Sequence, residues 1–277
     1  MAHWFHRNVL KATTQVNFEI GMVTADPDAS KICSDLKACR LRLLELLPDP
    51  SYTPDAINSV FSMYLSLLHG LLMVPGENTP SKIRHSILFK WTHSLLGNSP
   101  QLQQDSMYEV ASMSCNVAFW YMKHASAIAS KDDITMEEAK EVHASLRKAA
   151  GVFKLIERDF SPKLIERQME AGDLDPRVIS AYATQCTAEA QEVTVARAME
   201  LKHNPSLISA LANETSRLFS DAAKVLEPLG DVASQWTKYL RLKAAVYQAY
   251  AYCFCGENLL GLDRCGEAIR ALQESQA

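Results

Sequence analysis

The sequence is short of the residues that build loops and of those that staple small folds. Its ten glycines in 277 residues are about half the average usage, which disfavours loop-rich and all-β architectures. Seven cysteines (Cys33, Cys39, Cys115, Cys186, Cys253, Cys255 and Cys265) make an odd number without the dense spacing of a disulfide framework, and no Cys-x-x-Cys occurs. The longest nearly unbroken apolar run, Leu65 to Val74, holds ten residues, against roughly 20 for a bilayer crossing. The opening Met1-Ala2-His3-Trp4 shows no charged segment followed by an apolar one. No secretory leader is therefore expected, and the thiols are expected to stay reduced inside the cell. A basic surplus is missing too: Lys+Arg 28 against Asp+Glu 32 leaves a net charge of −4, which gives no electrostatic footprint for nucleic acid.

What the sequence does contain is helix punctuation. Thr53-Pro54, Thr79-Pro80, Ser99-Pro100, Ser161-Pro162, Asp175-Pro176 and Asn204-Pro205 each set a capping side chain before a proline. The cap oxygen accepts an orphan N–H, and proline at the first helical position gives up a donor that has no partner there. The same dipeptides also open turns, so not all six need start a helix. Thr135 and Glu138 form a capping-box pair. Ile179, Tyr182, Cys186, Ala190 and Val193 mark one helical face. Apolar residues surround the helices expected over 116–128 and 239–253, which predicts deep burial. Two stretches alternate instead: Val16, Phe18, Ile20 and Met22, and Ile87, Phe89 and Trp91. Each reads as a strand. With 48% apolar and 22% charged residues and no flexible linker, the pattern predicts one continuous, mainly α domain with a small sheet in its N-terminal third.

Catalytic signatures are sparse. The sequence has no phosphate-binding loop, dinucleotide fingerprint, nucleophile elbow or His-Glu-x-x-His element. Cys253 and Cys255 stand about 200° apart around a helix and cannot converge on one metal; they read as buried structural thiols. His3 and His6 read as surface residues rather than metal ligands. Glu189 and Glu192 share a helix face, the arrangement of an acid–base or metal pair, but no second Glu-x-x-His element accompanies them. A helix surface or interhelical hydrogen bonding is the plainer reading. Thr194, Arg197 and Leu201 lie on another stripe, and Leu207 and Leu211 follow at i, i+4 on the next helix. If the two helices form a hairpin, these residues line a shallow trough; periodicity alone places Leu207 and Leu211 equally well in a core.

Several landmarks together resemble the BRO-type domain family, which includes Alix. They are Phe89-Lys90-Trp91-Thr92, Lys148-Ala149-Ala150-Gly151-Val152-Phe153, Ala188-Glu189-Ala190-Gln191-Glu192-Val193 and Gly266-Glu267-Ala268-Ile269-Arg270. The opening His3-Trp4-Phe5-His6-Arg7-Asn8 resembles a branch of that family ending in a Cys-a-a-X prenylation box. The resemblance implies a boomerang-shaped, largely helical domain with a tetratricopeptide-like core and a small N-terminal sheet, without cofactor. It implies a non-enzymatic adaptor that binds the C-terminal amphipathic helix of charged multivesicular body protein 4, a subunit of the third endosomal sorting complex (ESCRT-III). Protein 5 of that group is a second candidate partner.

Carried over, the family's apolar patch falls on Thr194, Leu207 and Leu211, flanked by Lys140 and Arg197. Thr194 stands where Alix has phenylalanine, and His93 where an aspartate is common. The resemblance also implies that residues 1–277 lack the C-terminal part of the domain, including the prenylation box. A cytoplasmic location peripheral to membranes, at endosomes or the nuclear envelope, is implied. Membrane association would then be indirect, and apolar surface is expected to stay open around Ala268, Ile269 and Leu272. Two alternatives remain: a helical scaffold for an unrelated peptide, and a helical metal enzyme using Glu189 and Glu192.

Overall fold

The computed structural model describes residues 9–19, 26–74, 76–77, 79–131, 133–166 and 168–276. It is mainly helical: α1 (Pro27–Leu46), α2 (Pro54–Leu72), β1 (Phe89–His93), β2 (Gly97–Gln103), α3 (Ser106–Ala129), α4 (Met136–Leu155), α5 (Pro176–Glu200), α6 (Pro205–Leu226), α7 (Ser234–Gly261) and α8 (Cys265–Glu274). No helix among the described residues is long and apolar enough to cross a membrane. Residues group into two compact units, one of 9–124 and 152–179, the other of 125–151 and 180–276.

In the first unit, β1 and β2 form an antiparallel hairpin with Phe89 opposite Gln103, Trp91 opposite Gln101, and an irregularity between Trp91 and His93. Phe89, Trp91 and His93 alternate inward. The second expected strand is corrected. Val16 and Phe18 are buried in alternation, yet residues 14–19 form no strand and only Thr13 bridges to Trp91. Period-two burial needs only an extended chain, whereas a strand also needs a ladder of backbone bonds. Ile20 and Met22 fall outside the described residues.

Two buried charge clusters tie this unit together. The Arg40 Nε donates to Glu109 Oε1 at 2.8 Å, while Tyr64 and Trp91 donate to the same carboxylate at 2.8 and 2.6 Å. Lys11 Nζ meets Asp173 at 3.2 Å, and Ser94 and the buried His93 stand against the same carboxylate. That company, with Lys11 the strongest of the groups opposing the effect of burial, brings the Asp173 carboxyl down to about 2.

Capping explains most helix starts. Thr53 accepts from the Ala56 N–H, Asn204 from the Ser206 N–H, and Asp175 from the Arg177 N–H. Thr135 and Glu138 close their box reciprocally at 2.8 and 3.2 Å. Ser161-Pro162 opens only a three-residue 3-10 turn. Thr79-Pro80 and Ser99-Pro100 start no helix: Pro80 sits in an isolated bridge with Met73, and Pro100 lies on β2.

In the second unit α7 corrects an expectation. Trp236, Thr237, Tyr239, Leu240, Lys243, Tyr247, Ala251 and Gly256 are buried, while Leu242, Val246 and Tyr252 are exposed. Apolar residues all round a helix bury it only if neighbours stand on every side. The thiol reading changes with it: Cys253 is exposed and Cys255 half-buried. At the C-terminal end Gly256 admits α8, because a Cβ there would lie 2.6 Å from Leu272 Cγ. Ala268 is fully covered and Ile269 is exposed.

Candidate functional site

The turn between α5 and α6 sets the geometry of a groove in the second unit. The His203 N–H donates to Ala198 O and the Lys202 N–H to Met199 O, with Lys202 in the left-handed region at φ 52°. This is a Schellman motif, which closes the orphan carbonyls of a helix end. Asn204 then caps α6 and Pro205 occupies its first turn. A non-glycine residue in the left-handed region costs about 1–2 kcal/mol, part of which glycine loses again to backbone entropy. Lys202→Gly is therefore expected to stabilise the chain by about 0.5–1 kcal/mol, read as a rise in Tm. An unchanged or lower Tm would contradict the strain.

The turn sets α5 and α6 beside α4 around a cavity of about 400 Å³. Met136, Ala139, Lys140 and His143 line it from α4, and Val193, Thr194, Arg197 and Ala198 from α5. Leu201 and His203 come from the turn, and Leu207 and Leu211 from α6. Beneath it, Ala139, Val142 and Leu146 of α4 pack with Ala190 and Val193 of α5 and with Ala125 and Ala129 of α3. The structure thus brings Lys140, Thr194, Arg197, Leu207 and Leu211 together. Leu207 is 48% exposed and Leu211 half-buried, so neither is a core residue.

Thr194 Oγ1 turns back to Ala190 O at 3.5 Å, which leaves its methyl for the cavity. Arg197 is held by Glu200 and by Met136 Sδ, and its Nε is buried without an acceptor. Lys140 is mostly exposed, 4.0 Å from Glu137. Among the described residues no acidic side chain lines the cavity.

Sequence reasoning missed Met136 and His143, although 136, 139, 140 and 143 follow the i, i+3, i+4, i+7 spacing of one helical face. It also missed His203, which only the turn geometry places.

Glu189 and Glu192 lie elsewhere in this unit, fully buried. Gln185 donates to Glu189 at 2.7 Å and Tyr239 at 3.1 Å, and Lys243 Nζ reaches Glu192 Oε1 at 2.5 Å. Trp236 donates to Gln185 Oε1 and packs on Tyr182. The pair is thus interior, and of its two plainer readings interhelical hydrogen bonding holds. Burial first, then Glu192, pushes the Glu189 carboxyl up to about 8; burial also raises Glu192, against the pull of Lys243. No group of three or more His, Cys, Asp or Glu that could hold a metal is present among the described residues. His3 and His6 lie outside them.

A second cavity of about 540 Å³ lies at the start of α5 in the other unit, beside Met169, Leu174 and Arg177. Arg177 is already paired with Asp175 and Glu170.

A family model, the BRO1-like domain, matches residues 23–277. The whole chain is similar to the BRO1 domain-containing protein BROX of Homo sapiens, 51% identical over 278 residues that cover 68% of that relative. It is 38% identical to the BROX homolog of Caenorhabditis elegans, again covering 68% of it. Among solved structures, the fold matches an Alix BRO1 domain in complex with CHMP4C, with TM-score 0.78 and 20% identity over 98% of this chain and 78% of that one. It also matches a Bro1 domain described as the basis for endosomal targeting, with TM-score 0.75 and 20% identity over 99% of this chain and 76% of that one. At such identity the structural likeness concerns the fold.

Proposed function

Because the chain belongs to the BRO1-like domain family, we propose that it is a non-enzymatic adaptor of the ESCRT pathway. Its groove holds the C-terminal amphipathic helix of a charged multivesicular body protein of the type found with the Alix domain. The observation that carries this reading is the groove itself. Leu207, Leu211 and the Thr194 methyl offer an apolar trough, with Lys140 and Arg197 beside it and no acidic side chain among the described residues of its lining. That lining fits a helix whose i, i+3, i+4, i+7 face is apolar and whose flanks are acidic. Membrane association follows from the partner, at endosomes or the nuclear envelope.

The test is a titration of the chain with the C-terminal peptide of charged multivesicular body protein 4. Leu211→Asp sets an unpaired carboxylate against the peptide's apolar face and is expected to weaken binding by about 2 kcal/mol or more. Leu211 is only half-buried, so the variant should still melt cooperatively near the parent. Absence of binding by the parent chain, or a collapse of Tm in place of a binding defect, defeats the reading.

A further inference from the structure

Two histidines line the groove, and the docking of apolar side chains leaves them without a role. His143 stands on α4 one turn beyond Lys140, half-buried; His203 stands exposed at the end of the turn. One comes from α4 and the other from the turn between α5 and α6, and the trough already holds two cations, Lys140 and Arg197. We propose that His143, set in the lining with Lys140 and Arg197, makes the groove selective for acidic amphipathic helices in a pH-graded way, gripping them more tightly as the pH falls from 7.5 to 5.5. The proposal rests on the groove being the docking site.

The charged groups around His143 come from three helices. On α4, His143 has Lys140 and Arg147 as cationic neighbours; burial first and Arg147 second hold its imidazole below its ordinary range. Glu137 on the same helix lies 4.0 Å from Lys140. From α5 come Arg197, already bonded to Glu200, and beyond the helix end Lys202. The α6 wall presents Leu207 and Leu211, while its Glu214, Arg217 and Asp221 pair with one another. Charging the His143 imidazole is unfavourable in the empty groove, where burial and Arg147 oppose it, and favourable beside an acidic helix. The complex therefore binds more protons than the free chain, and by linkage affinity rises as pH falls.

The experiment is fluorescence anisotropy at pH 7.5, 6.5 and 5.5 with three capped peptides. These are the C-terminal helix of charged multivesicular body protein 4, a designed amphipathic helix with glutamates on its flanks, and the same designed helix with glutamines. Peptide glutamates stay ionised across this range, their ordinary pKa being about 4.3. The acidic helices are expected to bind about tenfold tighter at pH 5.5 than at pH 7.5, and the glutamine helix with no pH slope. His143→Gln should flatten the response. His143→Lys should hold the tight state at every pH.

Tm measured at each pH separates misfolding from lost binding. A flat response of the parent chain, an equal slope with the glutamine helix, or a slope that survives His143→Gln overturns the proposal. Binding of the designed acidic helix with the slope, but not of the ESCRT-III peptide, overturns the partner and leaves the proposal standing. No binding of any peptide overturns both.

Discussion

Lys243→Met is expected to destabilise the second unit by about 3–5 kcal/mol at neutral pH, the cost of removing one partner from a buried ion pair. Lys243 is the ammonium at Glu192, and Glu189 lies one helical turn away with its carboxyl raised to about 8. The interior thus holds two carboxyl groups and one cation, and Glu189 keeps a proton at neutral pH. Without Lys243, Glu192 must also take a proton or stay charged without a counter-ion.

The sign of the pH dependence follows. A carboxyl raised on folding contributes stability that is fully present below its unfolded value, near 4.5 for glutamate. That contribution is lost as pH rises through the folded value, because the folded state then holds protons that the unfolded state has released. The Lys243→Met deficit should therefore be largest near pH 8 and shrink toward pH 5. Urea denaturation at several pH values measures it. A deficit below 1 kcal/mol, or one that grows in acid, would show that Lys243 is not the counter-charge.

Arg40→Met is expected to cost a similar amount, about 3–5 kcal/mol, in the other unit. The guanidinium donates to Glu109, to Thr14 O and to Thr13 Oγ1, and it lies over the Trp91 ring at 5.4 Å. Methionine fills part of the volume but removes the cation from the buried Glu109 carboxylate, to which Tyr64 and Trp91 still donate. Adding Glu109→Gln should recover part of the loss, since the unpaired charge goes with it. Arg42→Met is the control: Arg42 and its partner Glu45 are exposed, and such surface pairs contribute little. Equal melting curves for the Arg40 and Arg42 variants would refute the argument.

Local chemistry was legible in the sequence where the signal was itself local. Thr53, Thr135, Asp175 and Asn204 each cap the helix that their own spacing announces. Asp26-Pro27 carries the same signal and went unread, although Asp26 caps α1 through the Asp28 N–H. Ser99-Pro100 shows the converse: a cap dipeptide means nothing once β1 claims the segment as its partner.

Burial was less legible because it depends on neighbours. The residues of α7 look alike around the helix, but only some of them are buried. Glu189 and Glu192 stand out by spacing, yet Tyr239 and Lys243, which decide their state, lie about 50 residues on. Of the groove, the α5 and α6 contributions could be read as a hairpin. The α4 wall came only through family resemblance for Lys140, and His143 went unread.

The Schellman turn at Lys202–His203 bears on the rate of docking as well as on shape. Hydrogen bonds close it to Ala198 and Met199, and Asn204 locks the next helix in place. The α5 wall with Thr194 and Arg197 and the α6 wall with Leu207 and Leu211 are therefore in position before any partner arrives, and the ordering entropy of association falls on the incoming peptide alone. Encounter then resembles docking onto a rigid template. Changes in the trough should leave the association rate nearly constant and shorten the lifetime of the complex instead. Substitutions at Leu207 or Leu211 should show themselves as faster release, whereas loosening the turn should slow capture.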